Sequence, residues 1–103
     1  MRIELLYFDG CPSHEALLPT LRELLAVEGI EDGIELRRVE TAEDAERQRF
    51  LGSPTVRIDG EDVEPGAVER EDFGLKCRLY RTAAGLEPVP PDEWIRKALR
   101  GPG

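Results

Sequence analysis

The sequence is poor in the residues that build disulfide frameworks and metal centres. Its 103 residues include only two cysteines and one histidine. Two cysteines do not make the disulfide framework of a small extracellular domain. With the histidine they supply three ligands, one fewer than the four that a structural zinc site uses. We therefore expect free, redox-active or metal-binding thiols, and no cofactor.

Long apolar runs and an excess of positive charge are also missing. No run approaches the length of a transmembrane helix, and the first apolar stretch is short and interrupted by Glu4. We therefore expect neither a membrane span nor a secretory signal. The net charge of −8 argues against nucleic acid and anionic membrane as partners. A single cytoplasmic domain over residues 1–103 is the expectation.

The charge is distributed unevenly along the chain. Residues 1–75 hold 8 basic and 19 acidic residues, a net charge of −11, whereas residues 76–103 hold 6 basic and 3 acidic residues, a net charge of +3. The simplest interpretation is that the basic C-terminal segment pairs with the acidic body of the same domain.

The apolar pattern predicts alternating strands and helices followed by a hairpin. We expect strands at 3–8 and 34–39, helices at about 14–28 and 42–50, hairpin strands at 55–58 and 61–64, and a last helix at 91–99. The Asp59-Gly60 pair is a strong hairpin signal. This order predicts a central mixed sheet of four strands, in which strand 3–8 runs parallel to strands 34–39 and 55–58.

The segment between the hairpin and the last helix is less regular. Residues 65–74 are expected to form a loop, and residues 85–91 a proline-rich connection. Between them, Leu75 to Tyr80 alternate apolar and basic positions. This pattern favours an edge strand with Leu75, Cys77 and Leu79 pointing inward.

A thiol follows the first strand directly. The apolar run ends at Gly10, Cys11 comes next, and Pro12 suits the first position of a helix. The unpaired N–H groups and partial positive charge of a helix N-terminus favour thiolate over thiol. His14 lies on roughly the same helix face, where it would lower the pKa of the thiol, act as a base, bind a metal or have no role.

The order of elements and two motifs resemble the thioredoxin fold. Cys11-Pro12-Ser13-His14 is similar to the C-x-x-C active site of that family with histidine at its second cysteine. Ser53-Pro54-Thr55, about 40 residues later, is similar to the cis-proline loop. The chain also resembles small bacterial-type thioredoxin-like proteins that sometimes carry an alkylmercury lyase label. The implied fold is an α/β, thioredoxin-like domain with a central mixed four-stranded sheet flanked by helices.

The resemblance also implies roles for residues near the second motif. It implies that Pro54 is cis and packs beside Cys11, and that the backbone of Ser53 pairs with a bound peptide or thiol substrate. Pro12 and Thr55 belong to the same implied substrate-binding surface. An ordinary trans turn proline is the alternative for Pro54.

Cys77 is open to two interpretations. It is either a core thiol on an edge strand or the resolving partner of Cys11, since no cysteine at position 14 can play that part. In the second case, its neighbours Lys76 and Arg78 would stabilise a thiolate.

Three functions follow from these patterns. The favoured one is a thiol-dependent oxidoreductase, in which Cys11 forms a mixed disulfide with a thiol or disulfide substrate and Cys77 or an external thiol resolves it. The second is a soft-metal protein that binds mercury, copper or zinc through Cys11 and Cys77, with or without His14. The third is a catalytically silent thioredoxin-like interaction module, with a homodimer through an exposed strand edge as one form.

Overall fold

Four strands form one mixed sheet at the centre of the molecule. The computed structural model describes residues 1–101. The strands are β1 (Ile3–Tyr7), β2 (Ile34–Arg38), β3 (Thr55–Ile58) and β4 (Glu61–Asp62), in the spatial order β2-β1-β3-β4. The predicted α/β class with a mixed four-stranded sheet and helices is confirmed.

The direction of β3 differs from the prediction. β1 is parallel to β2, with Ile3 opposite Ile34, but antiparallel to β3, where Ile3 lies opposite Ile58. The only helix between β2 and β3 is α2 (Ala42–Arg47), whose six residues span about 9 Å. This helix is too short to return the chain along the sheet, so β3 starts at the end where β2 stops. The predicted parallel pairing of β1 and β3 is wrong for this reason.

Helices cover both faces of the sheet. α1 (Ser13–Val27) and α3 (Asp92–Arg100) pack on one face, where the main core contains Leu5, Leu21 and Ile95. α2 lies on the other face over a smaller core of Leu6, Val39, Ala45 and Phe50. Alternate residues of β1 therefore enter different cores, as the pleat of a strand requires.

The chain between the hairpin and α3 departs from its prediction in two places. A 3₁₀ turn at Ala67–Glu69 lies in the segment expected to be loop. A second small sheet, formed by β5 (Tyr80–Thr82) and β6 (Gly85–Glu87), includes part of the expected proline-rich connection.

The predicted edge strand over residues 75–80 is also wrong. The segment contributes a single bridge from Cys77 to Ser53, and only Tyr80 enters a strand. Its inward residues are Arg78 and Tyr80, while Leu75, Cys77 and Leu79 are exposed. Arg78 is buried because acidic side chains neutralise it, as described below.

Ion pairs join the basic C-terminal segment to the acidic body, as the charge distribution predicts. Arg96 and Arg100 of α3 contact Glu28, the residue after α1, at 3.2 and 2.9 Å. These contacts tie α3 to the end of α1. Among residues 1–101, no helix has the length and apolar character that crossing a membrane requires.

Candidate thiol site

The first cysteine lies in a tight turn between β1 and α1. Its backbone N–H donates to the carbonyl of Phe8 at 3.3 Å. A Cβ on Gly10 would lie 2.4 Å from the Phe8 ring, so glycine allows the close approach in this turn. Pro12 lies directly before the first helical residue, whereas the sequence predicted Pro12 itself at the first helical position. The turn thus delivers Cys11 to the N-terminus of α1.

The sulfur of Cys11 is buried. The residue is 2% exposed, and its thiol contacts the hydroxyl of Ser13 and the carbonyl oxygen of Ser53, each at 3.6 Å. The Ser53 contact joins the helix N-terminus to the loop before β3, 42 residues away. The two motifs found in the sequence therefore meet in space.

The loop before β3 contains a cis Ser53–Pro54 peptide bond, as predicted. The backbone of Ser53 is fully used within the chain: its N–H donates to the carbonyl of Lys76 and its carbonyl accepts from the N–H of Arg78, both at 2.8 Å. Of the residues predicted to bind substrate, Pro12 is exposed, whereas Ser53, Pro54 and Thr55 are buried. A peptide cannot pair with Ser53 while the segment 76–78 lies there.

The backbone hydrogen bonds of Lys76 and Arg78 with Ser53 bring Cys77 close to Cys11. Cys77 is the residue bridged to Ser53, and the thiol of Cys11 donates to that same Ser53. Each thiol shifts the pKa of the other, so the two side chains lie within interaction range. Cys77 is exposed, so the pair consists of one buried and one exposed sulfur. Both are free thiols in this structure.

The pKa of Cys11 is lowered and the pKa of Cys77 is raised, and each thiol contributes to the shift of the other. Burial raises the pKa of Cys11, but hydrogen bonds from Cys77 and from the backbone and side chain of Ser13 outweigh it and hold that pKa below its ordinary value. The hydrogen bond to Cys11 is the main cause that raises the pKa of Cys77. When the pair loses its first proton, the negative charge therefore resides mainly on the buried sulfur.

His14 faces away from this pair. Its Nδ1 lies 3.1 Å from the carbonyl oxygen of Cys11, and its ring stacks on Tyr7 with 4.1 Å between centroids. A carbonyl only accepts, so Nδ1 carries a proton and donates. The histidine forms a hydrogen bond with the backbone of Cys11, and within residues 1–101 it forms no hydrogen bond with either sulfur.

A buried arginine holds the segment that carries Cys77. Arg78 donates to both carboxylate oxygens of Asp62, at 2.8 and 3.0 Å, and to the hydroxyl of Thr55 at 3.0 Å. Its guanidinium lies 3.6 Å from Glu64 and 4.4 Å from the centre of the Tyr80 ring. The Tyr80 hydroxyl in turn donates to the carbonyl of Pro54.

The sequence interpretation missed this anchor. The sequence predicts Arg78 only as a positive charge near a thiolate, yet the residue is 2% exposed. A signal was present, because Asp62 and Glu64 form an acidic pair beside the hairpin. Linking that pair to an arginine 14 to 16 positions later requires the fold.

The ligand set for a metal is small. Within the part of the chain that the structure describes, no group of three or more histidine, cysteine or acidic side chains is arranged to hold an ion. Only the two thiols lie together, a set that suits soft, low-coordinate ions rather than zinc.

Comparisons with protein-family models, with curated proteins and with solved structures find no match to this chain.

Proposed function

We propose that this protein is a thioredoxin-like thiol–disulfide oxidoreductase whose redox pair is Cys11 and Cys77. The observation that carries the proposal is the shared contact at Ser53: Cys77 is bridged to this residue, and the thiol of Cys11 lies 3.6 Å from its carbonyl oxygen. A disulfide needs its two Cα atoms within about 7 Å, and a bridge through one common residue favours such closeness.

The architecture supports the thioredoxin-like part of the proposal. The strand order β2-β1-β3-β4, a cysteine between β1 and α1, and a cis-proline before β3 agree with the resemblance drawn from the sequence. In this proposal, Cys77 from a distant segment takes the part that the second cysteine plays in a C-x-x-C motif.

The reaction is reversible exchange between two thiols and a disulfide. An external disulfide accepts two electrons and two protons from Cys11 and Cys77, is cleaved to two thiols, and leaves a Cys11–Cys77 disulfide in the protein. An external dithiol, or two monothiols, restores the reduced pair by the reverse steps. The thiolate, not the thiol, is the reactive species in exchange, and the lowered pKa of Cys11 increases the fraction of this sulfur that is thiolate.

The test is equilibration of the protein in buffers of reduced and oxidised glutathione. We expect the wild-type protein to lose two hydrogen atoms in mass as the buffer becomes oxidising, and a peptide linked between Cys11 and Cys77 after digestion. Cys11→Ser and Cys77→Ser should each abolish the bridge and leave the folded state intact. His14→Ala, which alters no sulfur contact, is the matched control and should retain the bridge.

The same samples separate the other two functions. A pair of thiols without a third ligand also suits mercury(II) or copper(I), which bind two thiolates. Protection of both cysteines by one equivalent of such an ion, without a bridge under oxidising buffer, would replace the oxidoreductase with a soft-metal protein. Absence of both a bridge and metal protection would leave the silent interaction module.

A further inference from the structure

Resting on the proposed function, we propose that external thiols and disulfides exchange at the sulfur of Cys77, and that the buried sulfur of Cys11 reacts only with Cys77. Cys77 is then the outer thiol and Cys11 the inner thiol of the pair. This order reverses the expectation from the sequence, in which Cys11 attacks the substrate and Cys77 resolves the mixed disulfide.

Access to the two sulfurs carries the argument. Cys11 is 2% exposed, and Ser53, whose carbonyl meets its sulfur, is fully buried. Thiol–disulfide exchange requires the incoming sulfur to reach the sulfur that it attacks. An external molecule meets this requirement at the exposed Cys77 but not at Cys11.

The segment that carries the outer thiol is firmly held. Lys76 and Arg78 form hydrogen bonds of 2.8 Å with Ser53 on either side of Cys77. The Arg78 side chain is buried against Asp62 and Thr55. Moving Cys77 away from Ser53 would break these contacts together, so the outer thiol stays in place while a substrate reacts.

The steps balance with Cys77 as the site of exchange. The thiol of Cys77 passes its proton to the Cys11 thiolate, and the resulting Cys77 thiolate attacks an external disulfide and forms a mixed disulfide. The external thiolate that is released takes this proton from Cys11, which becomes a thiolate again. The thiolate of Cys11 then attacks the sulfur of Cys77, forms the internal disulfide and releases the second external thiolate. The external disulfide has been reduced to two thiols, and the protein dithiol has been oxidised.

The reverse direction agrees with the charge distribution in the pair. An external thiolate attacks Cys77 of the internal disulfide, and Cys11 departs. A thiol of lower pKa is the better leaving group, and Cys11 is the member of the pair with the lowered pKa. Attack on Cys11 would instead expel Cys77, whose pKa is raised.

The experiment compares the two single-cysteine variants. Cys11→Ser and Cys77→Ser are reduced and then mixed with glutathione disulfide or with a disulfide-linked peptide at neutral pH, and mixed-disulfide formation is followed by mass spectrometry. We expect the thiol of Cys77 to react about tenfold faster or more, because Cys11 reacts only after local opening. Labelling in denaturant should make the two rates equal.

A second measurement uses the wild-type protein, so the result does not depend on how well a variant folds. The oxidised protein is treated with excess glutathione, quenched with acid and mapped. We expect the glutathione adduct on Cys77. Adduct on Cys11, or equally fast labelling of Cys11 in the Cys77→Ser variant, would overturn the inference.

The outcome is distinguishable from failure of the proposed function. If the internal bridge forms and the adduct lies on Cys11, the oxidoreductase stands and the order of the two thiols is wrong. If no bridge forms in glutathione buffers, the proposed function and this inference both fail. If glutathione disulfide and the peptide disulfide both react at Cys77, the inference holds for small and polypeptide substrates.

Discussion

Arg78 and Cys77 are neighbours in the chain, yet one is buried and the other exposed. In an extended segment, alternate side chains point in opposite directions, so burial of Arg78 turns Cys77 outward. The arginine is buried because Asp62 and Glu64 neutralise its charge and Thr55 takes a further hydrogen bond. A single ion cluster therefore determines which side of the segment meets solvent.

Replacement of Arg78 by alanine should destabilise the protein by about 3 kcal/mol or more, because removal of one partner leaves Asp62 partly buried without its counter-charge. The free energy of unfolding is measured by urea denaturation of the reduced protein. Arg47→Ala is the control: Arg47 is solvent-exposed, and its partner Asp44 keeps the hydrogen bonds from Gln48, so the loss should cost about 0.5 kcal/mol or less. Equal destabilisation by the two substitutions would contradict this role for Arg78.

Arg78 also shows why part of the site could not be predicted from the sequence. Hydrophobicity favoured Leu75, Cys77 and Leu79 as the inward side, and the opposite side is buried. Charge burial depends on partners that the fold brings near, and a local pattern does not contain them. The turn at Cys11 was predicted from the local preferences of glycine and proline. The cis bond before Pro54 was predicted from the resemblance to the cis-proline loop of the thioredoxin fold, and it is present.

At the scale of elements, strand types were easier to predict than strand directions. The hairpin at Asp59-Gly60 forms as expected because its turn is local. The direction of β3 relative to β1 depends on the short connection through α2, which ends at Arg47 rather than near residue 50. The order of the elements alone does not contain this direction.

One close approach between elements holds the outer thiol beside the inner one. Gly52, just before Ser53, has φ +123°, and a Cβ there would lie 3.0 Å from the Arg78 Cβ and from the Lys76 carbonyl oxygen. The segment 76–78 can approach the loop before β3 only because this residue has no side chain. Gly52 therefore serves the thiol pair without contacting either sulfur.

Gly52→Ala should destabilise the fold by about 1–3 kcal/mol, since a side chain is strained at this φ and collides with the segment. It should also weaken the Cys11–Cys77 bridge, so that a more oxidising glutathione buffer is needed for half-formation. Gly33→Ala is the matched control, because no atom lies within 4 Å of its added Cβ. A bridge of unchanged stability in Gly52→Ala would show that the approach of the segment does not matter for the thiols.

At the scale of the whole molecule, β2 and β4 are the edge strands of the central sheet. The longer edge strand is β2, and three of its five residues, Glu35, Arg37 and Arg38, are charged. Charged side chains on an edge strand oppose pairing with a second copy. The homodimer through a strand edge stays a prediction, and this edge does not favour it.

Stability of the reduced protein should depend on pH through the two thiols. The folded pKa of Cys11 lies below its unfolded value, so between those two values only the unfolded chain holds the proton, and stability rises with pH. The folded pKa of Cys77 lies above its unfolded value, so between those two values only the folded protein holds the proton, and stability falls. The two effects meet near the ordinary thiol pKa of about 8.5.

The contribution of the pair is isolated by comparison with Cys11→Ser, which removes both effects. We expect the difference in unfolding free energy, wild type minus variant, to increase as the pH rises toward about 8.5 and to decrease above it. Urea denaturation at a series of pH values, with a phosphine as reductant, measures the difference. A difference that is independent of pH would mean that the thiols do not share a proton in the folded protein. The lowered pKa of the inner thiol would then no longer support its role as leaving group.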